Sequence, residues 1–287
     1  MIDLSLVNNY VYMRVLIFSF FMLISSSLLA QKIIIATYNL RYANTTDVGN
    51  LWTERKQMVV DLIQYHQFEI FGVQEAVKLQ LEDLKTAMPA FEYVGVGRDD
   101  GKSAGEHSSI FYKVDRFDLL DKGDFWLSQT PDKPGFGWDS KFNRICSWVK
   151  LKDKKSKKIF FVFNAHYDHQ GMVARVESSK LVLERIQSIA GDSPVVFMGD
   201  LNGGRETDWY LQLSNSGRIK DSYTMVTNPY QLSGSFNGFN TNGVRKDVID
   251  HIFVSKHFKA YRWAVLTDTY FGKYPSDHFP VVVELSF

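Results

Sequence analysis

Polar residues collect where apolar runs stop. IIIATYNL closes on Asn39, IFGVQE on Glu75, FFVFNAH on His166 and VVFMGDLN on Asp200 and Asn202. VIDHIF carries Asp250, and SDHFPVVVEL opens with Asp277 and His278 just ahead of Pro280. All are amides, carboxylates or imidazoles at positions where a strand would otherwise bury hydrocarbon. An oxygen-rich set of this kind suits a hard divalent cation, because Mg2+ takes carboxylate, carbonyl and water oxygens. Phosphate-ester hydrolysis needs the same parts: a cation for the nonbridging oxygens, a group that orients or deprotonates water, and donors for the charge that develops. Asp200 and Asn202 are two residues apart, so on extended backbone both project to one face.

The elements that carry these groups are legible as short apolar, β-branched and aromatic runs at 32–40, 68–75, 107–113, 145–151, 158–166, 193–201, 247–255 and 280–287. They read as strands, and several are apolar on consecutive positions, as in strands covered on both faces. Helical spacing occupies 51–66, with Met58, Leu62 and Tyr65 along one face, and 173–190, with Val176, Leu183, Ile186 and Ala190 in line. The lysine cluster KDKKSKK (152–158) lacks interleaved aromatics and reads as a solvated hairpin loop. Mixed strands and helices with hairpin-like links predict two packed sheets flanked by helices, in one domain over 31–287.

The chain has 287 residues, 45% of them apolar, with Lys and Arg totalling 33 against 32 for Asp and Glu. A net charge of +1 gives no global attraction to nucleic acid or anionic membrane, so any polyanion would be held locally. Residues 13–31, MRVLIFSFFMLISSSLLAQ, have the layout of a secretory leader, which makes 1–30 the signal peptide and Met13 an alternative start. The apolar stretch is short for a membrane span, and no lipoprotein cysteine follows it. With Cys146 the only cysteine, no internal disulfide forms. The expected product is exported, periplasmic or extracellular, with no obligate protein partner and no membrane span in the mature chain.

Six motifs in order, TYNLR, VQE, NAHYDH, GDLNG, IDHIFVS and SDHFPV, resemble the endonuclease/exonuclease/phosphatase family from about Ile33 to Phe287. That family includes pancreatic-type deoxyribonuclease, apurinic endonucleases, sphingomyelinases, inositol-polyphosphate phosphatases and carbon-catabolite-repressor deadenylases. GVGRDDGKSAGEHSSIFY (95–112) is similar to secreted bacterial members near the deadenylase branch. The resemblance implies an α/β (α+β) fold, a four-layer αββα sandwich of two mainly antiparallel sheets with the site at one rim.

It also implies roles. Glu75 is the metal ligand, and Asn39 shares the metal or phosphate through its amide oxygen, although a strand-capping Asn is the simpler alternative. Asp277 stays near the metal, which is Mg2+ with Mn2+ as the alternative. Asp200 orients or deprotonates water or helps hold the metal, and Asn202 donates to a nonbridging oxygen. His278, with its other N–H fixed by Asp250, either activates water or binds the phosphate. Asp200 and His278 both remain candidates for the base, with the Asp250–His278 pair preferred. His166 stabilises the pentacoordinate phosphorus, with Asp168 beside it. Arg98, with His107 and Arg144, forms a second anionic clamp for the substrate's remote end, against the alternative that Arg98 pairs with Asp99 or Asp100 in a turn. Asn237 in SFNGF is either a site residue or a plain Asn-Gly turn. The reading is therefore a divalent-metal-dependent phosphodiesterase or phosphomonoesterase acting by in-line water attack. Phosphorylated small molecules, lipid head groups and short nucleic acids are its candidate substrates. A nuclease, or a non-catalytic binding protein on the same fold, is the competing class.

Overall fold

Two six-stranded sheets face one another in a computed structural model that describes residues 31–243 and 246–287; the leader assigned to 1–30 lies outside the described residues. The first sheet contains β1 (Ile33–Asn39), β2 (Ile70–Gln74), β3 (Phe91–Val94), β4 (Ile110–Lys113), β11 (Lys259–Val265) and β12 (Val281–Ser286), in the order β11-β12-β1-β2-β4-β3. The second contains β5 (Phe117–Trp126), β6 (Ile145–Asp153), β7 (Ile159–His166), β8 (Val195–Asp200), β9 (Ile219–Asp221) and β10 (Asp250–Ser255), in the order β5-β6-β7-β8-β10-β9. Each sheet is antiparallel except for one central pair, β1 with β2 and β7 with β8.

Parallel neighbours need a crossover, and a helix supplies each one. Helix α1 (Trp52–Tyr65) links β1 to β2, and α3 (Met172–Ala190) links β7 to β8. Helix α2 (Lys78–Ala87) follows β2, and α4 (Asp208–Ser214) follows β8. The core has three parts. One lies between the sheets, around Ile35, Val162, Met198 and Val283. A second lies under α1 and α2, and a third under α3 and α4. This is a four-layer sandwich of helix, sheet, sheet and helix.

All eight predicted strands form. Four more were not legible: β3 and β9 have four and three residues, while β5 and β11 are edge strands interrupted by charge. The buried face of α1 differs from the predicted one: Trp52, Arg55, Val59, Leu62 and Ile63 are inside, whereas Tyr65 is 80% exposed. Helix α3 packs through small residues, Ala174, Ser178, Ser179 and Ala190, with Val182 and Ile186; Val176 and Leu183 are only half-buried. Periodicity alone locates a helix but leaves its rotation open when apolar residues lie on more than one side.

The two sheets are tied at their rim by Asn164, on β7. Its amide donates to the Val73 and Ser109 carbonyls of the opposite sheet at 2.9 and 3.0 Å and accepts from Gln74 at 2.6 Å. No Cβ would fit at Gly72, where that amide lies against the backbone.

Candidate active site

The C-terminal ends of the four parallel strands meet at one rim. Asn39 ends β1, Glu75 follows β2, His166 ends β7 and Asp200 ends β8. Strand register makes the second sheet's share explicit, since His166 pairs with Asp200 and Asp200 pairs with Asp250 across three neighbouring strands. The segment entering β12 adds Asp277 and His278, held by a bridge between Phe236 and His278. Three residues take positive φ here, Arg41 at 54°, Glu75 at 61° and Asn202 at 50°. Such conformations cost about 1–3 kcal/mol and persist only where the surroundings enforce them.

Hydrogen bonds join the two halves. Asn39 Nδ2 donates to Glu75 Oε1 at 3.2 Å and to Asp200 Oδ2 at 3.0 Å. Its amide oxygen accepts from the Arg41 backbone at 3.0 Å, so Asn39 presents nitrogen rather than the expected oxygen to the carboxylates. The Arg41 guanidinium pairs with Asp47 and stands 3.9 Å from both Glu75 Oε2 and Asp277 Oδ2. Buried Arg55 donates to the carbonyls of Leu40, Arg41, Asn50 and Pro275, which ties the loop after β1 to the segment before β12. Arg55 did not stand out in the sequence because α1 reads as an ordinary amphipathic helix, and Arg41 entered only as the last residue of TYNLR.

Two imidazoles converge on Asp200. His278 Nδ1 bonds Asp250 Oδ2 at 2.9 Å, and its Nε2 lies 3.8 Å from Asp200 Oδ2; His166 Nε2 lies 3.6 Å from the same oxygen. Their charge states differ. Burial of the His278 ring opposes its protonation, but Asp250, Asp200 and Asp277 overcome this and push it up to about 10. Burial and the nearby Arg144 and Arg98 hold His166 well below the ordinary histidine value, so it is neutral. The carboxylates crowd one another: burial and Asp250 raise Asp200 to about 7, and burial and Glu75 raise Asp277 to about 6.

Asn202 Nδ2 donates to the Tyr167 carbonyl at 2.9 Å and to His166 Nε2 at 3.1 Å, which fixes the ring's tautomer with the proton on Nδ1. Asp168 accepts from the backbone of Gln170 and Gly171 and lies 3.5 Å from Arg144 Nε. It therefore positions Arg144 and the entry to α3. The Asn237 amide is engaged by the Ser276 carbonyl and the Phe239 backbone, so it braces the turn carrying Asp277. Arg98 makes a two-pronged pair with Glu106, a carboxylate the sequence reading passed over; the turn partner Asp99 is only a 4.0 Å contact.

The donor set fits a hard cation. Glu75 and Asp277 offer oxygens only, and burial together with the Glu75 charge raises the proton affinity of both Asp277 and Glu106. Asp200, Asp250 and His278 also bring ligand atoms within 4.8 Å of one another. In that trio His278 Nδ1 is committed to Asp250 as a donor, which leaves an imidazole–carboxylate pair rather than a ligand set.

Residues 36–278 match the model of the endonuclease/exonuclease/phosphatase family. The chain belongs to this family. Its members are phosphoesterase hydrolases that generally use divalent metals. A family protein from Bacteroides thetaiotaomicron is 46% identical, over 90% of this chain and 98% of its own, with a TM-score of 0.88. The mannosyl-6-phosphatase of Bacteroides thetaiotaomicron VPI-5482 is also 46% identical, over 89% of this chain and 100% of its own, with a TM-score of 0.87. The human Nocturnin catalytic domain shares the fold at 19% identity, over 89% and 94% of the two chains, with a TM-score of 0.71.

Proposed function

We propose that the protein is a Mg2+-dependent phosphomonoesterase that hydrolyses phosphorylated sugars, with Mn2+ as the alternative metal. The observation that carries the hydrolytic reading is the convergence of both imidazoles on Asp200 Oδ2, beside the oxygens of Glu75 and Asp277. The substrate class is supported by chain-long 46% identity to a mannosyl-6-phosphatase.

Glu75 and Asp277 would hold the cation, with Asn39 orienting Glu75. When bound, it would neutralise nonbridging oxygens of the phosphoryl group and make phosphorus more electrophilic. His278, kept protonated by Asp250, donates from Nε2 to a phosphoryl oxygen. This departs from the preference for an Asp250–His278 base: a ring held protonated cannot accept water's proton. Asp200 Oδ2, facing both rings, orients the attacking water and accepts its proton as the new P–O bond forms, while the sugar oxygen takes a proton from solvent water as its bond to phosphorus breaks. Asn202 supports the neutral tautomer of His166. We also propose export, on the leader layout of 13–30; intact protein from the periplasm or medium beginning near residue 31 would support it, and a chain retaining Met1 or Met13 would contradict it.

The test is phosphate release from a panel of hexose phosphates with Mg2+, with and without chelator, beside bis-p-nitrophenyl phosphate and single-stranded DNA and RNA. Chelator-sensitive turnover of hexose phosphates is expected; cleavage restricted to diesters or nucleic acid would replace this reading. Mg2+ should raise the melting temperature of the wild type by several degrees, since a ligand at 100 times its Kd stabilises by ~2.7 kcal/mol. Glu75→Gln should abolish that shift along with at least ~100-fold of the activity.

A further inference from the structure

His251 follows Asp250 in IDHIFVS but faces the other way. Side chains alternate along a strand, so Asp250 looks into the rim while His251 looks out from the second sheet toward α4, where its ring packs 4.9 Å from that of Tyr210. No step of the hydrolysis uses it. Yet His251 is 1% exposed, and its Nε2 lies 2.9 Å from the Gly203 carbonyl. A carbonyl only accepts, so Nε2 is the donor and carries a proton. On the other side of the ring, Nδ1 stands 3.7 Å from Oδ2 of Asp221, at the end of β9. Asp221 is itself tied down, accepting from Tyr210 Oη at 2.8 Å, the Tyr223 backbone at 3.0 Å and Arg205 Nε at 3.4 Å.

We propose that His251 is a positioning residue for the proposed hydrolysis, a role that rests on that reading: through the Gly203 carbonyl it sets where the loop after β8 presents Asn202. The other anchors of this loop are accounted for. Leu201 is held by the Ile249 backbone and by Trp209 Nε1, the Asn202 N–H by Asp200 Oδ1, and the Gly204 carbonyl by Thr207. Among the described residues, the buried Gly203 carbonyl has only His251.

Asn202 immediately precedes that glycine. It holds a φ of 50° and keeps its Nδ2 on the Tyr167 carbonyl and on His166 Nε2. A buried carbonyl that loses its donor is costly, so without His251 the Gly203 peptide turns toward another partner and takes Asn202 with it. One strand thus serves the site from both faces: Asp250 sets His278, and His251 sets Asn202 and, through it, His166. The simpler alternative, a histidine that only fills space behind β10, requires the ring shape and not the donor.

Two variants separate these accounts. His251→Phe keeps a ring and removes the donor, whereas His251→Gln gives up the ring and keeps an N–H close to the place of Nε2. With Mg2+ and mannose 6-phosphate, His251→Phe should lower kcat at least ~30-fold at a KM within about threefold, because a misplacement of about 1 Å can cost ~100-fold, and His251→Gln should recover most of that loss. Nitrogen-15 NMR of the histidine rings in metal-free protein reads the same arrangement without turnover. In the wild type, His251 Nε2 should carry a proton and His166 Nε2 none; in His251→Phe, the His166 ring should populate both tautomers. Wild-type kcat in folded His251→Phe, equal losses of kcat in both variants, or a proton on His166 Nε2 in the wild type would overturn the inference. A wild type that hydrolyses no monoester, with the His166 tautomer still fixed there and lost in His251→Phe, would instead overturn the proposed function and leave the positioning role standing.

Discussion

Asp200 is asked to sit fully buried beside Asp250 and still be ready to hold a charge. Burial and Asp250 raise its proton affinity, so the native state holds a proton that the unfolded chain would have released. A carboxylate raised from 3.8 to about 7 contributes stability below pH 4 and loses that contribution as pH rises through 7. Asp200→Asn removes the charge and keeps the shape. In metal-free protein at pH 8 it should melt at least ~3 °C above the wild type, equivalent to roughly 1 kcal/mol for a domain of this size, while activity falls at least ~100-fold. Thermal melts from pH 4 to 9 check it, with the two curves converging at the acidic end; a variant less stable at pH 8 would show that Asp200 serves packing more than chemistry.

At the level of elements, the site depends on how the two sheets are set against each other. Asn164 sits two residues before His166, and its partner Gln74 immediately precedes Glu75. This one side chain therefore couples the strand end bearing the proposed metal ligand to the strand end bearing the imidazole. Asn164→Leu would remove three buried hydrogen bonds, leaving the Ser109 carbonyl with only the Val73 N–H and the Gln74 amide with only Thr37, at a net cost of about 1 kcal/mol each and about 3 kcal/mol in all. The expected drop in melting temperature is roughly 6–12 °C, with a fall in kcat at unchanged fold. A calorimetric melt and steady-state kinetics would show it; loss of stability with full kcat would mean the strut does not set the site. Gly199 works similarly, because a Cβ there would lie 1.9 Å from the Ala165 carbonyl, one residue before Asp200.

For the molecule as a whole, near-neutral charge separates the proposed reaction from nucleic-acid processing. With a net charge of +1, and with Arg98 and Arg144 each paired to a carboxylate, the chain carries no global excess of positive charge to track a phosphate backbone. From 50 to 200 mM salt, kcat/KM for a hexose phosphate should change by less than about fivefold, whereas a protein making 6–10 phosphate contacts loses ~10³–10⁵ in affinity. Initial rates across that range, alongside retention of labelled single-stranded DNA, measure the contrast. A steep salt slope would return the nuclease reading to first place. The edges of the sandwich follow the same economy of charge: edge strand β5 carries Asp118, Asp121 and Lys122, which discourage pairing with another sheet.

The sequence by itself determined the elements that are long and apolar, and the polar residues that end them. A run such as KIFFVFNAH fits a strand between two packed layers, and a carboxylate or imidazole at its end calls for a reason that hydrocarbon packing does not give. It left unresolved the short and edge strands, the rotation of α1, and Arg41, Arg55 and Glu106, whose partners lie 15 to 236 residues away or in a loop without periodicity. Tertiary structure alone decided that Asn39 turns its nitrogen to Glu75 and Asp200, that Asp250 with two neighbouring carboxylates keeps His278 charged while Arg98 and Arg144 keep His166 neutral, and that each clamp arginine already has its counterion. Protonation state and amide orientation are set by neighbours within a few ångströms, and which residues become neighbours is fixed only when the two sheets close on each other.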